Sequence, residues 1–159
     1  MGWEFADYLD RYRRVHSAIA QSSPNFGAMA KELADVTQSI PPGSLLLDKA
    51  LSSSISYQYT ELYKMHAKIL CAQVGMALER YRAAKGDYPA ALGTLAPEFL
   101  PSVPVDVFNG QPLHYRRVPG GAVVYSVGPN LKDDGGVEDR ESNKDDPAWH
   151  AGKALEAKP

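Results

Sequence analysis

The sequence predicts an α+β domain in which a long helix packs on a small antiparallel β-sheet. The stretch from Ser44 to Lys85 contains no proline and repeats apolar residues at helical spacing. Five prolines follow between positions 89 and 112 and exclude another long helix there. Two β-rich stretches around a Pro-Gly-Gly turn come next, which is typical of a hairpin. Helices first and a sheet afterwards is the order of an α+β fold.

The first 54 residues predict a helical extension ahead of this domain. Apolar residues recur three or four apart between positions 3 and 40, and Ser22-Ser23-Pro24 divides this stretch into two helices. Pro41-Pro42-Gly43 ends the second one. We therefore expect a helical extension at 1–54, the α+β domain at 55–149 and a disordered tail at 150–159.

The long helix is expected to pack on more than one side, with the sheet on one side and the N-terminal helices on another. Cys71 and His66 lie on its apolar arc, which predicts an inert buried thiol and a buried, hydrogen-bonded imidazole. Apolar residues cover more than half of the helix circumference, and charged residues share the narrow remainder. The apolar set is Leu62, Met65, Ile69, Leu70, Val74, Met76, Ala77, Leu78 and Tyr81, and the charged set is Glu61, Lys64, Lys68, Glu79 and Arg82.

The segment after the helix predicts three short elements. Gly86 directly follows Lys85 and is a typical residue for ending a helix. Residues 90–96 can form one helical turn with Leu92 and Leu95 toward the core. Residues 113–118 and 122–127 alternate as strands do and flank the turn at 119–121.

Composition narrows the functional class. The 159 residues are 44% hydrophobic and 23% charged with a net charge of −2, which is ordinary for a single globular domain. This balance argues against a dedicated nucleic-acid binder, which needs a basic surface. No apolar run is long enough for a membrane helix, and one cysteine cannot form an internal disulfide. We find no hydrolytic motif, phosphate-binding glycine loop or paired metal-ligating histidines, so the sequence does not predict an enzyme.

Most of the acidity belongs to residues 129–147, which we call the acidic loop. It carries seven acids and three bases, a net charge of −4, whereas the rest of the chain is net +2. Carboxylates, Asn130 and the flexible Gly135-Gly136 pair together offer the hard oxygen ligands that calcium prefers. The spacing is not that of an EF-hand, so a solvated loop that binds no metal is the alternative. A loop of this length without secondary structure is uncommon unless something orders it.

Residues 74–149 resemble type II secretion pseudopilins, particularly the major, G-type pseudopilin. The resemblance covers about half of the chain and depends on the order and spacing of four motifs rather than on any one of them. These are Ala77–Arg82 with Gly86-Asp87-Tyr88-Pro89, the proline-punctuated stretch from Leu92 to Asp106, Phe108-Asn109-Gly110-Gln111-Pro112-Leu113 with Tyr115, and Tyr125–Asn130 followed by Asp133-Asp134-Gly135-Gly136.

The resemblance implies a non-enzymatic structural module of the bacterial secretion apparatus, on the extracytoplasmic (periplasmic or cell-surface) side, with other protein subunits as partners. In that family the last loop holds calcium through carboxylates and backbone carbonyls. Carried over, the candidate calcium ligands here are Asp133 or Asp134 from the first acidic cluster, with Asp139, Asp145 or Asp146 closing the site. Trp149 is expected to anchor the far end of the loop.

Residues 1–54 have no counterpart in the family, and the chain carries neither a prepilin leader nor the long apolar helix that anchors pseudopilins. Two explanations fit: a piece of a larger membrane-anchored protein whose anchor lies upstream, or a pseudopilin-like module used outside the secretion apparatus. A metal-free protein-binding module is the second functional hypothesis. An enzyme with His114, Arg116 or the acidic loop lining a cleft is the third.

Overall fold

The computed structural model of the chain describes residues 46–139 and 144–152, together with three isolated positions in the N-terminal part, Asp10, Phe26 and Lys31. The rest of the predicted N-terminal helices, residues 140–143 and the tail from residue 153 lie outside the described residues. The chain divides into two compact units, residues 1–62 and 63–159. The features below belong to the second unit, apart from the first part of its long helix.

Helix α1 is continuous from Leu46 to Lys85, so the serines at 52–54 do not interrupt it. It ends as predicted at Gly86, whose φ of 89° lies in the left-handed region that favours glycine. The Gly86 amide donates to the carbonyl of Arg82 at 2.8 Å, which satisfies one of the last carbonyls of the helix. Arg82 and Lys85 occupy its last turn, where positive charge complements the helix dipole.

One face of α1 is buried, and it is narrower than the sequence predicts. Ala67, Cys71, Val74 and Leu78 have no exposed surface and follow one another at helical spacing. Met65, Ile69 and Met76 of the predicted apolar sector are between 50% and 59% exposed. The predicted cover of a second side by the N-terminal helices concerns residues outside those that the structure describes. The periodicity shows which residues are apolar, but it does not show how much of a helix its neighbours cover.

Two further predictions on α1 are corrected. His66 is exposed rather than buried. Lys64, which the sequence places in the polar sector, is only 5% exposed. Cys71 is the predicted inert thiol: burial raises its pKa to about 12, and its Sγ donates to the carbonyl of Pro147 at 3.4 Å.

The three-stranded sheet consists of β1 (His114–Val118), β2 (Gly121–Tyr125) and β5 (Ala148–Gly152), with β2 in the centre and both pairs antiparallel. Two short strands, β3 (Glu138–Asp139) and β4 (Lys144–Asp145), form a second antiparallel pair inside the acidic loop. A short 3-10 helix at Leu92–Leu95 precedes the sheet, and both of its leucines are buried as predicted.

The sheet confirms the predicted hairpin and adds strands that the sequence pattern does not predict. β5 includes residues 150–152, so the predicted disordered tail begins too early. The reason is pairing: Ala151 lies opposite Ala122 in β2, and Ala151 is 1% exposed. A two-stranded hairpin would leave one edge of β2 without partners for its backbone amides and carbonyls. The observed arrangement is therefore α+β, one long helix on a small antiparallel sheet.

The two faces of β2 meet different partners. Ala122 and Val124 join the main core with Cys71, Val74 and Leu78 of α1. Val123 and Tyr125 point to the opposite face and form a second, smaller cluster with Val118 and Ala148. Tyr115 belongs to the first face and Tyr125 to the second, because side chains alternate along a strand.

Gly75 of α1 provides the space in which Trp149 of β5 packs. A Cβ atom on Gly75 would lie 2.2 Å from Cδ1 of the Trp149 indole, far inside van der Waals contact. The absent side chain thus lets the largest residue of β5 approach the helix backbone. Trp149 is predicted as an anchor at the end of the loop, and it does contact the core at this position.

We expect Gly75→Ala to destabilise the protein although alanine favours helices by about 1 kcal/mol over glycine, because displacing the indole costs roughly 1–3 kcal/mol. The measurement is chemical denaturation with Trp149 fluorescence in a Trp3→Phe background. Gly93→Ala is the matched control, since a Cβ there meets nothing within 4 Å. An unchanged or increased stability of Gly75→Ala, with an unchanged emission maximum, would contradict the packing described here.

Glu79 fastens the end of β5 to α1. Its Oε1 accepts hydrogen bonds from the hydroxyl of Tyr88 at 2.7 Å and from the amide of Gly152 at 3.0 Å. Its Oε2 accepts from Nε of Arg82 at 3.0 Å. Burial alone would raise the pKa of Glu79, but the bonds from Tyr88 and Arg82 outweigh it and hold this pKa below its ordinary value of 4.5.

Because the folded-state pKa is lowered, the contribution of Glu79 to stability is complete above pH 4.5 and is lost as the pH falls through the lowered pKa. Glu79→Gln should therefore lower the Tm near neutral pH by a few degrees (~4 °C), and this difference should shrink in acid. Thermal melts across the acid range measure it. Glu98→Gln, at an exposed glutamate, is the control with no expected difference. A difference that persists unchanged in acid would show that the carboxylate charge is not responsible.

Candidate functional site

Both ends of the acidic loop are held together at a buried polar centre, Asp106. Its Oδ1 accepts from the Phe108 amide at 2.9 Å and from Oγ of Ser126 at 2.8 Å, and its Oδ2 accepts from the Val127 amide at 2.8 Å. The Ser126 amide in turn donates to the carbonyl of Pro147 at 3.0 Å. Asp106 has no exposed surface, and both of its oxygens have donors. This carboxylate therefore closes the base of the loop.

Asp146, the last acid of the loop, is the most unusual carboxylate. It has no exposed surface. Its Oδ2 accepts from the amides of Asp134 at 2.9 Å and Gly136 at 3.0 Å. Its Oδ1 is buried and has no hydrogen-bond partner among the described residues. Burial raises the pKa of Asp146, the two amide bonds oppose this effect, and the nearby charges of Asp134 and Asp133 add to it.

The first acidic cluster lies beside Asp146. The Oδ2 atom of Asp134 accepts from the side-chain amide of Asn130 at 2.7 Å. Asp133 is turned toward the sheet instead: its Oδ1 accepts from the Tyr125 hydroxyl at 3.0 Å, and its Oδ2 lies 3.2 Å from Nδ1 of His114. The His114 ring stacks on Tyr125 with ring centroids 5.2 Å apart. Burial and the bond to Asp133 raise the pKa of Tyr125 to about 12.

The other two predicted ligands occupy the β3–β4 pair. Asp145 forms an ion pair with Lys64 of α1, so its charge already has a counter-ion. Asp139 is exposed on β3 and lies opposite Lys144 in the register of the two strands. The structure thus brings Asp146 together with Asp133 and Asp134, and it turns Asp145 toward the helix.

The loop fits against the sheet because its glycines leave room for it. Gly136 has a φ of 77°, and a Cβ there would lie 3.1 Å from the ring of Tyr125. Gly128 has a φ of 64°, and a Cβ there would lie 2.1 Å from the carbonyl oxygen of Asp145. Backbone of the loop therefore covers the second face of β2 directly.

The oxygen atoms around Asp146 provide only part of what a hard divalent cation needs. A buried carboxylate oxygen without a donor, next to a second carboxylate and to backbone turned by two glycines, is what calcium can use. Within residues 46–139 and 144–152, however, no three His, Cys, Asp or Glu side chains converge as a metal-binding group. Backbone carbonyls would have to complete the coordination, as calcium sites allow.

An open groove of about 390 Å³ lies between the 3-10 helix and β1, and its lining contains no carboxylate, imidazole or amine. The hydroxyl of Tyr115, the one polar side-chain group on it, donates to the carbonyl of Pro89 at 2.8 Å. His114 and Arg116 contact the acidic loop, through Asp133 and the carbonyl of Gly135.

Comparisons with protein-family models, curated proteins and solved structures give no match for this chain. None of the helical segments described here is long and apolar enough to cross a membrane.

The contrast between Asp106 and Asp146 predicts different effects of the same substitution on the free energy of unfolding in the presence of EDTA. Asp106→Asn places an NH₂ group against the Val127 amide, two donors face to face, and should lower the free energy of unfolding by about 2 kcal/mol. Asp146→Asn keeps one oxygen for the two amides and removes a buried charge, so we expect no loss or a gain of up to about 1 kcal/mol.

Urea denaturation of both variants and the wild type measures the difference. The two variants serve as controls for each other, since both neutralise a fully buried aspartate. An Asp146→Asn variant as unstable as Asp106→Asn would mean that Oδ1 of Asp146 has an essential donor.

Proposed function

We propose that this chain contains a non-enzymatic, pseudopilin-like structural module whose acidic loop binds calcium. The observation that supports this proposal most is the buried Oδ1 of Asp146, which lacks a donor although the adjacent Oδ2 has two. A carboxylate oxygen in that state is unfavourable unless a cation or a proton reaches it. The resemblance of residues 74–149 to G-type pseudopilins points to calcium.

Asp146 and Asp134 are the side chains that would hold the ion, with carbonyls of the turn around Gly135-Gly136 as further ligands. Asp133 is close enough to add negative charge, although its oxygens already bond to Tyr125 and His114. Asp139 and Asp145 remain weaker candidates, the second because of its ion pair with Lys64. Calcium would supply no chemistry here beyond charge neutralisation: it would hold the loop against β2 and offset part of its −4.

The setting we propose is the extracytoplasmic side of a bacterium, in or beside a type II secretion apparatus, where the partners are other protein subunits. Weak calcium sites, with a Kd of about 10⁻⁴–10⁻³ M, are typical of extracellular modules and suit a loop with few charged ligands.

A metal-free protein-binding module is the second candidate. It is favoured by the exposed apolar side chains of Met65, Ile69 and Met76, which form a stripe along α1. In that case the loop would be held by its hydrogen bonds and ion pairs alone. The two candidates differ in one measurable property, the response of the fold to calcium.

Thermal melts in EDTA and then in millimolar calcium test the proposal. A ligand that binds only the folded state stabilises it by RT ln(1 + [L]/Kd). At millimolar calcium, about one to ten times the expected Kd, this amounts to about 0.4–1.4 kcal/mol and raises the Tm by roughly 2–5 °C. Asp146→Asn should abolish the shift. Asp139→Asn, which removes the same charge from an exposed position, should retain it. Magnesium at equal concentration should have a smaller effect, because it prefers a rigid octahedral site with several waters.

An unchanged wild-type midpoint in calcium would refute the calcium site and favour the metal-free binding module. A shift that survives Asp146→Asn would place the ion elsewhere in the chain.

A further inference from the structure

Lys64 is a charged residue on the buried face of α1. It is 5% exposed and precedes Ala67, Cys71 and Val74 at helical spacing along that face. Lysine is rarely buried unless its ammonium group is paired. Here the ammonium forms an ion pair with the carboxylate of Asp145, whose side chain is 16% exposed.

One turn further along α1, a second lysine forms a similar ion pair with the neighbouring strand, β3. Lys68, four residues after Lys64, lies 3.4 Å from Oε1 of Glu138 in β3. Glu138 and Asp145 are direct partners in the β3–β4 register. Two acids opposite each other in an antiparallel pair repel one another, because their side chains lie on the same face of the strands. The two lysines place one positive charge against each of these acids.

Asp146 lies next to the residue that Lys64 holds. Asp146 directly follows Asp145, and its amide donates to the carbonyl of Val137 at 3.0 Å. Its carboxylate reaches the amides of Asp134 and Gly136, whereas the Asp145 carboxylate reaches α1. Fixing Asp145 to the helix therefore fixes the backbone from which Asp146 extends toward the first acidic cluster.

We propose that Lys64 is a built-in counter-ion that holds the β3–β4 half of the acidic loop on α1 without any divalent cation. Lys68 assists from a more exposed position. A cation at Asp146 would then act only on the other half of the loop, residues 130–136, and the metal-free protein keeps β3 and β4 in place. Lys64 is a positioning residue for Asp146. Only the statement about the cation rests on the proposed function.

Hydrogen exchange in EDTA tests this assignment, with the amide of Asp146 as the reporter because its bond to Val137 joins the two sides of the β3–β4 segment. Lys64→Met leaves the Asp145 carboxylate, which is only 16% exposed, without this counter-ion, and should accelerate exchange at the Asp146 amide by roughly tenfold or more. Lys64→Met combined with Asp145→Asn removes both charges and should restore most of the protection. Lys68→Met is the matched control, since Lys68 is 47% exposed, and should change the rate by no more than about twofold.

The rescue by Asp145→Asn is the result that a purely steric role of Lys64 would not produce. If the Asp146 amide of Lys64→Met exchanged at the wild-type rate, the proposal would be overturned. The same holds if this amide exchanged faster in the double variant than in Lys64→Met alone. If Lys64→Met does not fold, Asp145→Asn and the double variant are compared instead. Faster exchange in Asp145→Asn than in the double variant is then expected, and the reverse order would overturn the proposal.

Repeating the exchange of the wild type in calcium separates this inference from the proposed function. Calcium should protect the amides of Asp134 and Gly136, which donate to Asp146, and leave the Asp146 amide nearly unchanged. No protection at Asp134 and Gly136, with the Lys64 effects intact, refutes the calcium site and supports the counter-ion. Protection spread equally over β3 and β4 would overturn the division of the loop into two halves.

Discussion

The structure of the second unit depends on covering both faces of one strand. All five residues of β2 are buried, although the strand belongs to a sheet of only three strands and one helix. Helix α1 covers the face of Ala122 and Val124. The opposite face, with Val123 and Tyr125, is covered by the backbone of the acidic loop at Gly136. A polar loop thus serves as the second layer that a small α+β domain needs to bury an apolar strand.

Using a polar loop as a layer brings charged groups into the interior, and each is compensated differently. Asp106 is satisfied by three donors, and Asp145 is paired with a lysine from α1. Asp146 has two donors on one oxygen and no partner among the described residues on the other. Because the desolvation of a carboxylate is costly, the degree of compensation separates residues with a structural role from one that is suited to a ligand. This contrast, rather than the number of acids, supports the proposed cation site.

The elements predicted best are those that depend on local chemistry. Gly86 ends α1 because only glycine adopts that backbone angle without strain. Pro89 and Pro97 leave room for little more than one helical turn, and Leu92 and Leu95 are the buried residues of that turn. The hairpin of β1 and β2 follows from its turn and its alternation. The sequence does not predict β5, because Ala148–Gly152 has little β-propensity of its own and gains its structure from pairing with β2. Asp106 lies in a proline-rich stretch. Nothing in that sequence predicts that its carboxylate accepts hydrogen bonds from the amides of Phe108 and Val127.

The sequence by itself determined the order of helix and hairpin, the end of the long helix, and the concentration of acidic groups in one loop, because these features depend on neighbours along the chain. Only the tertiary structure decided which of the acids are buried, which oxygen lacks a donor, and that Lys64 faces inward while Met65 and Ile69 face outward. Those outcomes depend on contacts between residues that are distant along the chain, such as Asp106 with Val127 and Lys64 with Asp145. Hydrophobic periodicity favours burial of the whole apolar sector, but the observed contacts bury a narrower face that includes Lys64 through its ion pair with Asp145.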